Sequence, residues 1–141
     1  MQARMSSPIT ILPDALQALQ ALRKYAEQGP VASQTIGLAQ LRASQINGCS
    51  VCVDQHSRSL KEAGETDERL FAVAAWREAA YFTDAVTRLA DRADPVPDSI
   101  WDEAARHYDE QGLAALILMI ATANLFNRLN VATRQVAGSQ S

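Results

Sequence analysis

The 141-residue sequence lacks several features that mark particular classes of protein. It has no cluster of lysine and arginine, since 13 basic residues stand against 16 acidic ones and the net charge is −3, so a nucleic-acid surface is not expected. The longest apolar run, residues 113–123, is shorter than the roughly 18 to 20 residues that span a bilayer. The N-terminus shows no apolar core followed by a small-residue cleavage site. We therefore expect a cytoplasmic protein that binds neither nucleic acid nor a membrane.

Strand signals are missing as well. No stretch shows sustained apolar-polar alternation rich in β-branched residues, and no repeat or low-complexity segment is visible. Apolar residues recur instead at helical spacing. The sequence predicts an all-α fold, a bundle of about six to seven helices, with residues 1–12 as an N-terminal tail and residues 13–138 as one domain.

Capping residues and chain breaks place the predicted helices. We expect helices over about 13–29, 31–47 and 49–63, a fourth capped by Thr66, a short one over 83–91, one capped by Asp98 or Ser99, and a last one over about 113–136. The last helix begins apolar all round. Subunits packed on it would cover that surface, so we expect a homo-oligomer.

The only two cysteines form a Cys-x-x-Cys pair, Cys49 and Cys52, and His56 follows four residues later. Residues at this spacing can share one helical face. In a reducing compartment such a pair is more typical of redox chemistry or metal binding than of a structural disulfide. A bridge between them would also close too short a loop to stabilise the fold much.

Thiol chemistry suggests a division of roles. A cysteine attacks as the thiolate, and both a helix N-terminus and a nearby imidazole lower thiol pKa. We interpret Cys52 as a buried attacking thiol, because His56 lies one turn after it, and Cys49 as an exposed resolving thiol at the helix start. The resolving thiol would condense with a sulfenic acid on Cys52 to form a disulfide. The reverse assignment stays open.

Other interpretations of the same residues are a zinc site and a purely structural role. Cys49, Cys52, His56 and the second histidine, His107, could supply four zinc ligands, but their spacing matches no common zinc-finger pattern. Two isolated cysteines would be ordinary core residues. A thioredoxin-like site is disfavoured because that motif belongs beside a βαβ unit.

Residues 42–56, Arg-Ala-Ser-Gln-Ile-Asn-Gly-Cys-Ser-Val-Cys-Val-Asp-Gln-His, resemble the core motif of the AhpD-like alkylhydroperoxidases of the carboxymuconolactone decarboxylase superfamily. The similarity returns at Tyr81-Phe82-Thr83 and Asn127-Arg128-Leu129-Asn130-Val131, and covers most of residues 13–137. The resemblance implies the AhpD-like all-α fold and a homo-oligomer such as a trimer or hexamer. It also implies an antioxidant activity without cofactor or metal, in which a small hydroperoxide is reduced and a dithiol or dihydrolipoyl-type reductant restores the thiols.

The same resemblance implies roles for three residues: Cys52 as peroxidatic thiol, Cys49 as resolving thiol and His56 in a proton relay. Two departures matter. The family usually carries a glutamate twelve residues before the first cysteine, where this chain has Gly37, and the helix after Thr83 is shorter. A general base is worth about 10² to 10⁴ in rate, so its loss favours the alternative of a redox-sensing or scaffold protein with weak turnover. Four carboxylates are candidates to replace the glutamate in space: Asp54, Glu62, Glu65 and Glu78.

Overall fold

A computed structural model of the protein describes residues 2–75, 77–90 and 92–138, and these ranges contain helices and no strand. The predicted all-α fold is confirmed. Eight helices occur in the described ranges, of which the first is a single turn: α1 (Pro8–Ile11), α2 (Pro13–Glu27), α3 (Ser33–Ile46), α4 (Ser50–Glu62), α5 (Asp67–Ala72), α6 (Arg77–Thr87), α7 (Asp98–His107) and α8 (Glu110–Ala132).

The long helix α8 is the centre of the bundle and packs against α2, α3 and α6. Its start is fixed by Asp109, whose side chain accepts a 2.8 Å hydrogen bond from the backbone N–H of Gly112. Met119 and Ile120 in its middle are completely buried. By length and mean hydropathy α8 could cross a membrane, but half of its most apolar window is buried inside the bundle, as in the core helix of a helical domain.

A second, smaller apolar cluster joins α3 to α4 and to the segment after α5. It contains Leu38 and Leu41 of α3, Leu60 of α4 and Val73. At roughly 1.5 to 3 kcal/mol for each fully buried aliphatic side chain, this cluster is what holds α4 on α3. The orientation of α4 matters because its first turn carries the cysteines.

Four predicted helix boundaries are wrong. The helix predicted over 83–91 begins at Arg77 and ends at Thr87. Residues 88–90 are not helical, and residue 91 lies outside the described residues. In this helix Phe82 is buried against the core, and the Asp84 carboxylate forms an ion pair with Arg42 of α3 through two hydrogen bonds of 2.7 and 2.8 Å. The last helix begins at Glu110 rather than 113 and ends at Ala132 rather than 136.

The predicted caps have mixed outcomes. Thr66 caps α5 as predicted, since its hydroxyl accepts from the backbone N–H of Arg69 at 3.4 Å. The cap predicted at Asp98 or Ser99 is wrong, because α7 already begins at Asp98, and Pro97, the residue before it, has no side-chain donor or acceptor to cap with.

Candidate functional site

The turn between α3 and α4 sets the position of Cys49. Gly48 has φ +67°, a left-handed conformation that suits glycine, and it ends α3 so that Cys49 becomes the N-cap of α4. The Cys49 Sγ accepts a hydrogen bond from the backbone N–H of Cys52 at 3.4 Å. The predicted place of Cys49 at a helix start is therefore confirmed.

The predicted exposure of Cys49 is wrong. Both cysteines are free thiols and both are buried, with exposed fractions of 1% for Cys49 and 3% for Cys52. Asn130 of α8 lies beside the pair and places its Nδ2 at 3.2 Å from the Cys52 Sγ and 3.7 Å from the Cys49 Sγ. Sequence reasoning noted the segment around Asn130 but gave this residue no role, because its partners lie 78 and 81 positions away.

A network of amide side chains ties α8 to α3 beside the thiols. The Asn47 amide donates to the Oδ1 atoms of Asn124 and Asn127 at 2.6 and 2.9 Å, and Asn127 donates to the Ser44 hydroxyl at 3.0 Å. Asn127 is 1% exposed and Ser44 is fully buried. Buried polar groups without partners would cost about 1 to 3 kcal/mol each, so these bonds fix one register of α8 on α3.

Cys52, unlike Cys49, borders open space. It lines a cavity of about 110 Å³ together with His56 and Asn130. A second cavity of about 260 Å³ adjoins it, and Arg23, Gln40 and His56 line both. A small molecule that enters the first cavity would therefore meet the Cys52 thiol beside the His56 imidazole.

The two thiols have opposite pKa shifts. The pKa of Cys49 is lowered to about 6, first by hydrogen bonding from the Cys52 side chain and then by the Cys52 backbone N–H and the amides of Asn130 and Asn127, although burial opposes it. The pKa of Cys52 is raised, first by its hydrogen bond to Cys49 and second by burial. Cys49 is therefore the more acidic thiol of the pair.

His56 is a neutral imidazole at pH 7. Burial, followed by the nearby positive charge of Arg23, lowers the pKa of His56 to about 4. Within the described ranges no hydrogen bond joins its ring to Cys52 or to a carboxylate. Glu27 lines the second cavity together with His56, but its carboxylate is held by the Arg23 Nε at 2.7 Å.

None of the described carboxylates proposed to replace the glutamate bonds to His56. Asp54 pairs with Arg58 at 2.9 Å, Glu65 with Arg69 at 3.2 Å, and Glu62 is exposed. The side chain of Glu78 lies outside the described part of the chain.

Position 37 itself has no room for a side chain. A Cβ added to Gly37 would come within 2.6 Å of the Leu60 Cδ2, so Leu60 fills the space in which a side chain would begin.

The second histidine belongs to another part of the molecule. His107, at the end of α7, contacts Glu103 at 3.2 Å on an exposed surface. Across residues 2–75, 77–90 and 92–138, no three His, Cys, Asp or Glu side chains are grouped so that they could hold a metal ion. The four-ligand zinc site considered from sequence is therefore not assembled.

The profile of the Carboxymuconolactone decarboxylase family matches residues 13–94, more than half of the chain. The chain belongs to this family. The match contains the Cys-x-x-Cys pair and His56. In the solved structures, the protein ATU0492 of Agrobacterium tumefaciens superposes with a TM-score of 0.88 at 26% identity over 99% of this chain and all of that one. The function of ATU0492 is unknown, and the antioxidant defence protein AhpD is its suggested identity. The family member has the AhpD-like fold.

Two curated relatives are similar in sequence. YdfG of Bacillus subtilis is 30% identical over 138 residues, which cover 92% of this chain and 94% of YdfG. YnjA of Escherichia coli is 30% identical over 113 residues, or 75% of this chain and 62% of YnjA. Both relatives are uncharacterised, so the chemistry of this family member has to be argued from its own site.

Proposed function

We propose that the protein is a thiol-dependent hydroperoxide reductase with an antioxidant role. One observation carries the proposal: the Cys52 thiol lines a small cavity beside the His56 imidazole, and a second free thiol, Cys49, accepts a hydrogen bond from the Cys52 backbone N–H in the same helical turn. A sulfur nucleophile, a proton acceptor and a resolving thiol are the groups that peroxide reduction by cysteine requires. The AhpD assignment of the structural neighbour supports the same activity.

In the first step Cys52 attacks the distal oxygen of the hydroperoxide. The Cys52 proton passes to the Cys49 thiolate, and the new Cys52 thiolate displaces an alkoxide as the O–O bond breaks. The alkoxide takes that proton back through the His56 imidazole, directly or through one water, and leaves as an alcohol, so that Cys49 is a thiolate again. Sulfur loses two electrons and becomes a sulfenic acid, while the peroxide gains them. A neutral His56 suits this role because it can accept the proton at pH 7.

In the second step Cys49 resolves the sulfenic acid. Its thiolate attacks the Cys52 sulfur, the S–O bond breaks, and the leaving hydroxide is protonated to water. A dithiol of the dihydrolipoyl type then reduces the Cys49–Cys52 disulfide by thiol–disulfide exchange and is itself oxidised to a disulfide. The net reaction turns a hydroperoxide and a dithiol into an alcohol, water and a disulfide.

Access and ionisation favour different cysteines as the attacking thiol. The lower pKa belongs to Cys49, whereas Cys52 borders the cavity. We assign attack to Cys52, because a peroxide has to reach the sulfur before ionisation matters, and because Cys49 can hand over its negative charge by accepting the Cys52 proton through the bond that already joins them.

Serine variants of the two cysteines test the assignment. Cys52→Ser should lose peroxide consumption completely. Cys49→Ser should consume about one equivalent of peroxide and stop at a sulfenic acid, which dimedone traps and mass spectrometry detects. If Cys52→Ser consumed one equivalent and Cys49→Ser none, Cys49 would be the attacking thiol. If neither the wild type nor either variant consumed peroxide with a dithiol present, the proposed activity would be wrong.

A redox sensor with weak turnover is the second candidate, and Gly37 favours it. With no carboxylate bonded to His56 in the described part of the chain, the imidazole lacks a partner to stabilise its protonated form. A sensor would show a reversible Cys49–Cys52 disulfide by mass spectrometry but no sustained peroxide loss in the presence of excess dithiol. Sustained turnover would exclude it.

We also propose that the chain forms a homo-oligomer such as a trimer or hexamer. Leu125 and Val131 on α8 have exposed fractions of 38% and 47%, and Leu22 on α2 has 39%. Exposed apolar side chains on the two helices that pack together are suited to bury against another subunit. Light scattering of the purified protein measures the mass, and a monomer of 15.3 kDa would contradict this proposal.

A further inference from the structure

The side-chain nitrogen of Asn130 contacts both sulfurs of the thiol pair. The Asn130 Nδ2 lies 3.2 Å from the Cys52 Sγ and 3.7 Å from the Cys49 Sγ, and Asn130 also lines the cavity that Cys52 borders. An amide –NH₂ carries two hydrogens, so one group can donate to two acceptors at once. Neither the family match nor the named relatives assign this residue a role.

We propose that Asn130 is a further catalytic residue, whose amide N–H groups hold the negative charge of the thiol pair as it moves from Cys49 to Cys52 during attack. The role rests on the proposed peroxide reduction. In this role the N–H groups of Asn130 are held in place and stabilise a thiolate, as the N–H groups of an oxyanion hole stabilise an oxyanion in acyl transfer.

The geometry suits a charge that changes place. Before attack the Asn130 amide donates to the Cys49 thiolate, and when Cys52 gives up its proton the same amide already lies at the closer distance of 3.2 Å from the new thiolate. No donor has to be rotated in from solvent, and hydrogen bonds to an ion are stronger than those to a neutral sulfur. The remaining charged or titratable cavity residues, Arg23 and His56, make no hydrogen bond to either sulfur in the described ranges.

The position of Asn130 is fixed by its own helix. Asn127 lies one turn earlier on α8, is 1% exposed, and is bonded to Ser44 and Asn47 of the α3 end. These bonds set the rotation and the height of α8 at the thiol pair. The donor is therefore preorganised by contacts that do not involve the sulfurs.

The test compares Asn130→Ala and Asn130→Asp with Asn124→Ala, which removes an amide of the same network that does not contact sulfur. Reduced proteins are alkylated with iodoacetamide over a range of pH, and the midpoint of the rate profile reports the pKa of the reactive thiol. We expect Asn130→Ala to raise that midpoint by about one to two pH units and to lower peroxide reduction at pH 7 by about 10- to 100-fold. Asn130→Asp, nearly the same shape but with a negative charge and fewer donors, should raise it further.

The control should keep the wild-type midpoint. Wild-type midpoints in both Asn130 variants, or an equal rise in Asn124→Ala, would overturn the proposal. If Asn130→Ala does not fold, the near-isosteric Asn130→Asp decides. Alkylation does not depend on peroxide turnover. A wild-type protein that failed to reduce peroxide would refute the proposed function, and the alkylation midpoints would still test whether Asn130 stabilises the thiolate.

Discussion

The half-buried His56 should make folding stability depend on pH. Its pKa is lowered from 6.5 to about 4, chiefly by burial and then by the charge of Arg23. Between these two values the unfolded chain binds a proton that the folded chain does not, so stability rises with pH. The contribution of His56 is complete above about pH 6.5 and is lost progressively as the pH falls towards 4.

The size of the effect follows from the pKa difference. A lowering from 6.5 to about 4 corresponds to about 3 kcal/mol at 1.36 kcal/mol per pH unit. Because part of the ring remains in contact with solvent, we expect a measured contribution of about 1 to 3 kcal/mol.

Urea unfolding at pH 7 and pH 4 measures the contribution of His56 to the free energy of unfolding. The loss of unfolding free energy between the two conditions should be smaller in His56→Gln than in the wild type by that amount. His107→Gln is the control for replacing a histidine, since His107 is exposed at the end of α7. If His56→Gln lost as much stability as the wild type, the burial argument for His56 would be wrong.

Three further outcomes are expected. In Cys52→Ala the alkylation midpoint of Cys49 should rise from about 6 by at least one pH unit, because the largest cause of its lowered pKa is removed; an unchanged midpoint would contradict this. Gly37→Ala should lower the melting temperature through its clash with Leu60, and it should do so less in a Leu60→Ala background, in which the clashing side chain is absent. Asp109→Ala should lower the free energy of unfolding, measured in urea, by about 1 kcal/mol, because it removes the N-cap of α8. An unchanged free energy of unfolding would show that this cap does not stabilise the protein.

The sequence was informative where local rules decide the structure. Thr66 and the Asn47-Gly48 turn follow capping and turn preferences that act within a few residues, and both helix starts lie where those preferences place them. The start of α6 was missed, and the ion pair that joins this helix to α3, between Arg42 and Asp84, spans 42 positions. No local pattern records such a contact.

The site shows the same division between local and distant contacts. The helix-start position of Cys49 could be predicted from the residues beside it, but its burial could not. The sulfurs also contact Asn130, which reaches them from a helix about eighty residues later. Likewise, Gly37 could be recognised as a departure from the family pattern, whereas only the structure shows that Leu60 occupies the space beside it.

The hydrogen-bond network between α3 and α8 consists of side chains that do not ionise. Asn47, Asn124, Asn127 and Ser44 keep the same charge at every pH at which the protein folds, so their hydrogen bonds have no titration of their own. Cys49 and His56, by contrast, change protonation state between pH 4 and neutrality. The hydrogen bonds between α3 and α8 should therefore keep the sulfurs in the same positions over the pH range in which Cys49 loses its proton.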